Sequence, residues 1–177
     1  MCIRDRLGIS KKTLYQFVDN KKDLIQKVFE RHIEEEMAAM KIIVNESENA
    51  VEEILRIAQY VTQLLREMSP KTLYDLQKYY RSIWDLVEAL HQQQIFAIIK
   101  DNIERGIEDD LYRVDLNADI VAKLYVGKSS LLVDDKLFPL KDYNKENLFK
   151  EHIKYHIYGI ASKKGLRLLE KYTKQKI

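Results

Sequence analysis

The sequence predicts an all-α protein, and three observations carry that prediction. Only two of its 177 residues are proline and five are glycine, so few positions stop a helix. Apolar residues recur at spacings of three and four along most of the chain, which is the period of a helix and not of a strand. Polar clusters with capping character, such as Asp19-Asn20, the NESEN run and Ser69-Pro70, interrupt the pattern at helix-length intervals.

The length suits one sizeable core, or a small module joined to a larger one. Cys2 is the single cysteine, which excludes an internal disulfide framework and suits a reducing cytosol, so a cytoplasmic protein is expected. The longest apolar run, IFAII near Ile95, falls far short of the ~20 residues that span a bilayer. MCIRDR at the front lacks the apolar core of a signal peptide. No membrane partner is expected.

Charge is unevenly spread. Residues 1–31 hold eight Lys/Arg against four Asp/Glu, residues 163–177 six against one, and the stretch between them sixteen against twenty-three. Such asymmetry suggests contact with a polyanion at one end. The basic tail reads as a solvated helix end that complements the helix dipole.

Taken in order, Gly8 allows a sharp turn and Ser10 is a good N-cap for a short helix from Lys11 to Val18. Leu14 and Val18 give it a narrow apolar stripe. Its other faces carry Lys11, Lys12, Thr13, Tyr15 and Gln16, donors suited to phosphate oxygens and base edges. Asp19-Asn20 ends it, and Asn20 with Asp23 forms a capping-box-like start to the next helix. Lys21 and Lys22 stand in that helix's first turn, where the dipole disfavours cations and a nearby phosphate would favour them. This second helix runs to about Val44, with Leu24, Val28, Phe29, Ile33, Met37 and Met40 in its apolar pattern and Glu34–Glu36 as a solvated face.

Residues 45–49 form a polar connector. A helix follows with Val51, Ile54, Leu55, Ala58, Val61, Leu64 and Leu65 at helical spacing. Ser69-Pro70 reads as N-cap and first helical residue of one carrying Leu73, Leu76 and Tyr80. Residues 83–106 give another amphipathic helix, which Gly106 relaxes or ends. A further helix runs from Ala118 to about Leu132, with Ile120, Leu124, Gly127 and Leu131 in line. Asn144 caps the last, striped by Leu148, Phe149, Ile153, Ile157 and Ile160. The chain divides into residues 1–44 and 45–177.

Gly8, Ser10, Thr13-Leu14-Tyr15, Phe17, Asn20-Lys21 and Asp23-Leu24 resemble the second half of the helix-turn-helix of TetR-family transcriptional regulators. The resemblance implies that Lys11–Val18 is a recognition helix for the major groove of double-stranded operator DNA. It implies DNA contacts at Ser10, Lys11, Lys12, Thr13, Tyr15, Gln16 and Lys21. Tyr15 and Lys21 would mainly anchor phosphates, and Lys12 and Gln16 would reach bases. Two further stretches resemble the family. Gly106, Tyr112-Arg113, Asp115 and Ala118 match the order in which a helix end and acidic loop lead into an interface helix; Gly159 to Tyr172 resembles the final helix. The implied architecture is a partial helix-turn-helix DNA-binding segment followed by an α-helical ligand-binding and dimerisation bundle. It would form a homodimer through its last two long helices, with Leu124, Gly127, Leu131, Ile153, Ile157 and Ile160 at the interface; packing of these helices within one chain is the alternative. Family members carry two helices before this turn, where the chain has six residues. Ile3 suits the preceding helix but Arg4 falls where it needs a small residue. The expectation is therefore a truncated front, with Met1–Arg6 not native.

Sharper chemistry finds little support. His152 and His156 have the i, i+4 spacing of zinc helices, but HIKYH lacks the Glu beside the first His and nothing completes the ligand set. Glu88-x-x-His91 is half of a di-iron motif that needs two such pairs. No phosphate loop or activated nucleophile is present, so neither an enzyme nor a cofactor or metal is expected. Tyr60, Tyr80, Trp84, His91, Gln94 and Phe96, aromatic or polar within apolar helices, are candidates for a small-molecule effector pocket, with plain core packing as the alternative. The function expected is a ligand-responsive TetR-type transcriptional regulator, a repressor in the simplest case. The alternative is a helical module that binds a small molecule or partner and no longer binds DNA.

Overall fold

A computed structural model of the chain describes residues 11–67, 70–134, 136–139 and 141–174. Among the described residues lie eight helices and no strand: α1 Lys11–Leu14, α2 Lys21–Glu46, α3 Ala50–Glu67, α4 Pro70–Tyr79, α5 Arg81–Glu108, α6 Ala118–Leu131, α7 Lys145–Ile160 and α8 Lys163–Lys174. Met1–Ser10 and Ser69 lie outside the described residues, and with them the expectations placed on the front of the chain and on Ser69 as a cap.

Capping side chains set several boundaries. Asn20 Oδ1 accepts from Lys22 N at 2.8 Å and Asp23 N at 3.0 Å, while the Asp23 carboxylate accepts from Asp19 N at 3.0 Å, one residue earlier than in a standard capping box. This arrangement holds Asn20 extended within a bend, so the chain leaves the first helix before the second begins. α1 stops at Leu14 instead of Val18, and Gln16 N closes only a turn on Thr13 O. Asn49, Asn117 and Asn144 satisfy backbone N–H groups at the starts of α3, α6 and α7 in the same way.

The long central α5 packs against α2, α3, α4 and α6, and α3 packs against α7 and α8. The principal core combines Val51 and Ile54 of α3 and Ile99 and Ile103 of α5 with Phe149, Ile153 and Ile157 of α7. On α2 the inward line is Ile33, Glu36 and Met40; Val28, expected in that stripe, is 57% exposed because it falls to one side of the line.

A buried polar node ties α3, α5 and the loop after α5 together. Glu53 is fully buried, accepting from Asn102 Nδ2 at 2.9 Å and Arg105 Nη2 at 2.7 Å. The Tyr112 hydroxyl shares its proton between Ala50 O at 2.9 Å and Asn102 Oδ1 at 3.0 Å. The Tyr112 ring lies on Gly106, where a Cβ would meet ring carbons at 2.1 and 2.3 Å. Gly106 therefore does not end α5, which continues to Glu108; it makes room for the ring. Asp110, in the left-handed region at φ 57°, then turns the chain.

The stretch Gly159–Tyr172 is not one helix. α7 stops at Ile160, and Ser162 interrupts: its N–H donates to Leu111 O at 2.9 Å and its hydroxyl to Asp110 O at 2.6 Å. The same hydroxyl accepts from Lys164 N and Gly165 N, both at 3.1 Å, and so starts α8. Gly165 is required there, because a Cβ would lie 2.0 Å from Leu111 O. No helix among the described residues is long and apolar enough to cross a membrane.

Candidate functional site

A cavity of about 220 Å³ opens among α2 to α6. Phe29, His32, Ile33 and Glu36 of α2 form one wall, and Val61, Leu64 and Leu65 of α3 form the next. Leu76 of α4, then Trp84, Val87, Glu88, His91, Gln92 and Ile95 of α5, Val126, Ser129 and Ser130 of α6, and Val133 just after it complete the lining. A smaller space of about 160 Å³ adjoins it, sharing Glu36, His91, Ile95 and Ser129 and reaching Met40, Tyr125 and Phe149. The walls are apolar with a few polar groups, the usual make-up of a small-molecule site.

Those polar groups are tied to one another. Glu36, 8% exposed, meets His91 Nε2 through Oε1 at 3.1 Å. Reading Glu34–Glu36 as a solvated face therefore holds for Glu34 and Glu35 but not for Glu36, which takes an inward position of α2 between Ile33 and Met40. Gln92 Nε2 donates to Ser130 Oγ at 2.8 Å and Glu88 Oε1 at 3.2 Å. Ser129 Oγ donates to Tyr125 O at 3.0 Å and lies 3.1 Å from His152 Nε2.

Of the six residues picked from sequence as pocket candidates, Trp84 and His91 line this cavity. Tyr60, Tyr80, Gln94 and Phe96 line neither space. Gln94 is exposed, because α5 turns His91 and Ile95 inward and leaves Gln94 outside that line. Phe96 lies beneath Lys123 Nζ, 5.8 Å from the ring centroid. Burial, with Glu36 and Glu35 nearby, holds the Tyr60 phenol above its ordinary pKa. Tyr80 stands at the α4–α5 junction, its ring 5.7 Å from Lys21 Nζ, and its hydroxyl holds the lysine above its ordinary pKa. Glu36, Gln92, Ser129 and Ser130 were missed as lining residues. For Glu36 the signal existed, since Phe29, Ile33, Glu36 and Met40 keep one helical line.

At the front, Lys12, Tyr15, Gln16 and Lys21 are exposed and Thr13 is half-buried. Ser10 and the side chain of Lys11 lie outside the described residues. Val18 is buried, and Phe17 O accepts from Lys27 Nζ at 3.2 Å, tying the turn to α2.

The residues picked for a dimer interface separate into two groups. Leu124 and Leu131 of α6 are about half exposed, Gly127 between them has open space beside it, and Ile120 extends the same line. Ile153, Ile157 and Ile160 are instead buried within the chain, at 5, 2 and 3%. The apolar stripe of α7 faces α3 and the core, and its outer side shows Tyr155, Tyr158 and Gly159, with Lys128 Nζ of α6 4.6 Å from the Tyr155 ring centroid. Exposed apolar and aromatic residues thus stand on both α6 and α7.

His152 and His156 also lie in the core. The Tyr125 ring sits 4.8 Å from each imidazole, and burial holds their pKa values down to about 4 and about 3. His156 Nε2 has no hydrogen-bond partner among the described residues. Among the described residues no three His, Cys, Asp or Glu side chains are grouped to hold a metal ion.

No family model matches the chain. It is 27% identical over 136 residues to the uncharacterized HTH-type transcriptional regulator YvaF of Bacillus subtilis, a match covering 76% of this chain and 70% of that protein. A transcriptional regulator from Cytophaga hutchinsonii superposes with a TM-score of 0.69 at 20% identity, over 90% of this chain and 86% of the other. A protein of Syntrophomonas wolfei assigned to the TetR-family regulators gives 0.61 at 14%, over 88% and 82%. The fold is that of a TetR-type regulator. All three are named as transcriptional regulators.

Proposed function

We propose that this chain is a cytoplasmic, ligand-responsive transcriptional regulator of the TetR type, a repressor in the simplest case, that binds operator DNA as a homodimer. The observation that carries the reading is the course of α2. Its first turn carries the exposed Lys21 and Lys22, with Tyr15 near Lys21, while Phe29, His32, Ile33 and Glu36 of the same helix wall the cavity. One helix thus joins a basic polar surface to an apolar chamber whose wall begins at Phe29, about 12 Å from Lys21, and reaches Glu36 at about 22 Å, at ~1.5 Å rise per residue. Lys12 and Gln16 are proposed to reach base edges in the major groove, and Tyr15 and Lys21 to anchor phosphates. Ser10, Lys11 and Thr13 are proposed to belong to the same surface. The outer face of α6 and α7, with Leu124, Gly127 and Leu131, is proposed as the dimer contact that sets the separation of the two recognition elements. A ligand that favours one tilt of α2 would shift that separation away from half-sites about one helical turn apart.

The test is selection from a random duplex library, followed by mobility shift at several salt concentrations. The expected result is an enriched palindrome, a steep salt slope, and for Lys21→Ala a uniform loss of affinity with a slope lower by about one. Absence of any enriched sequence, with binding that is equal for all duplexes, would overturn the reading.

A further inference from the structure

We infer that the cavity takes an apolar molecule whose one polar end is a cation, in the simplest case a protonated amine, seated against Glu36. This rests on the reading of the cavity as the effector site. Glu36 is 8% exposed and lines both spaces, yet its partner is an imidazole rather than a guanidinium or ammonium group. Oε1 takes the His91 contact at 3.1 Å, and among the described residues no Lys or Arg forms an ion pair with the carboxylate. A carboxylate largely removed from water and paired with an imidazole in place of a full cation retains part of its desolvation cost, and a cation delivered beside it recovers some of that cost.

The rest of the lining points the same way. The larger space has two carboxylates, Glu36 and Glu88, and no Lys or Arg. Lys145 borders the smaller space, but its ammonium donates to Leu132 O at 2.7 Å and Phe138 O at 3.1 Å. The Gln92 amide and the Ser129 hydroxyl are likewise engaged within the protein. What the chamber leaves unmatched is an acceptor with negative charge. His32 and His91 can accept as well as donate, so a donor headgroup suits them too. Phe29 and Trp84 add ring faces that attract cations. In the larger space an anionic headgroup would meet two carboxylates and no Lys or Arg side chain.

Trp84 is the only tryptophan and lines the cavity, so its emission reports occupancy directly. Three probes of one shape are titrated into the full chain: 4-butylbenzylamine, 4-butylbenzyl alcohol and 4-butylbenzoate. The amine is expected to bind about ten-fold or more tighter than the alcohol, with the benzoate weakest. Glu36→Gln is expected to bring the amine to the affinity of the alcohol while leaving the alcohol unchanged. An amine no tighter than the alcohol, a benzoate that binds best, or an amine indifferent to Glu36→Gln overturns the headgroup inference while the cavity reading stands. If no probe alters Trp84 emission or Tm at millimolar concentration, the cavity reading falls as well. The probe order on the unaltered chain decides the matter even where Glu36→Gln fails to fold.

Discussion

Replacing Gly106 by alanine tests the packing at the centre of the molecule. The new methyl would lie 2.1 Å from Tyr112 Cδ2 and 2.3 Å from Cε2, well inside van der Waals contact, so the ring must retreat by more than 1 Å, roughly, to reach ordinary carbon–carbon separation. Its hydroxyl is held by Ala50 O and Asn102 Oδ1, and Asn102 in turn donates to Glu53, so the ring cannot retreat without disturbing the node. Overpacking costs about 1–3 kcal/mol, and loosening buried hydrogen bonds adds about 1–3. The helix propensity of alanine returns about 1 kcal/mol. The net loss is about 1–5 kcal/mol, or roughly 2–20 °C in Tm for a chain of this size. Gly127→Ala is the matched control: nothing lies within 4 Å of its added methyl, so the protomer should gain about 0.5–1 kcal/mol. Thermal and urea unfolding at one fixed protein concentration measure both. Gly106→Ala within about 0.5 kcal/mol of the parent would refute the account of Tyr112 as a fixed ring.

Two further outcomes are expected. His152 and His156 titrate at about 4 and about 3 in the folded chain against 6.5 as the ordinary value, so the unfolded state binds more protons in between. Their contribution to stability is complete above pH ~6.5 and is lost as pH falls towards the folded values, by at most about 1.4 kcal/mol per pH unit for each. Urea midpoints from pH 7 to 4 should trace this, and His156→Phe should flatten the slope; an unchanged slope would exclude the histidine as its source. On the α6 face, Leu124→Glu with Leu131→Glu should convert the proposed dimer to monomer in light scattering with the far-ultraviolet helical signal kept. A doubly substituted chain that stays dimeric would place the interface elsewhere.

The helices were legible because their signals are local. Asn20 and Asn144 announced two starts, and the apolar spacing around Ile54 and Ile103 announced buried faces. Other features depend on partners distant in sequence. The Ser162 interruption is made by Leu111 and Asp110, some fifty residues earlier, and a run of helix-forming residues gives no hint of it. Glu36 reads as solvated beside Glu34 and Glu35 because charge hides its place in an apolar line. Ile153, Ile157 and Ile160 show the converse limit: an apolar stripe marks a face that avoids water without saying whether its own chain or a second one covers it. Of the candidate chamber, the sequence offered Trp84 and His91, since an aromatic or imidazole amid aliphatic neighbours stands out. Ser129 and Ser130 do not stand out, and gain their place only from the approach of α6 to α5.

The unbroken course of α2 has a geometric consequence. Its 26 residues contain no proline or glycine, and the helix runs past the cavity wall without a kink-forming residue. A straight rod turns angle into distance. With the pivot at Glu36 and the far end at Lys21, a rotation of 5° displaces that end by about 2 Å. A change too small to alter the helix itself is then large at the scale of a base edge. The leverage lies in the length of the arm, so shortening or kinking it, by Gly or Pro between Lys27 and Ile33, should uncouple the two ends while leaving each locally intact.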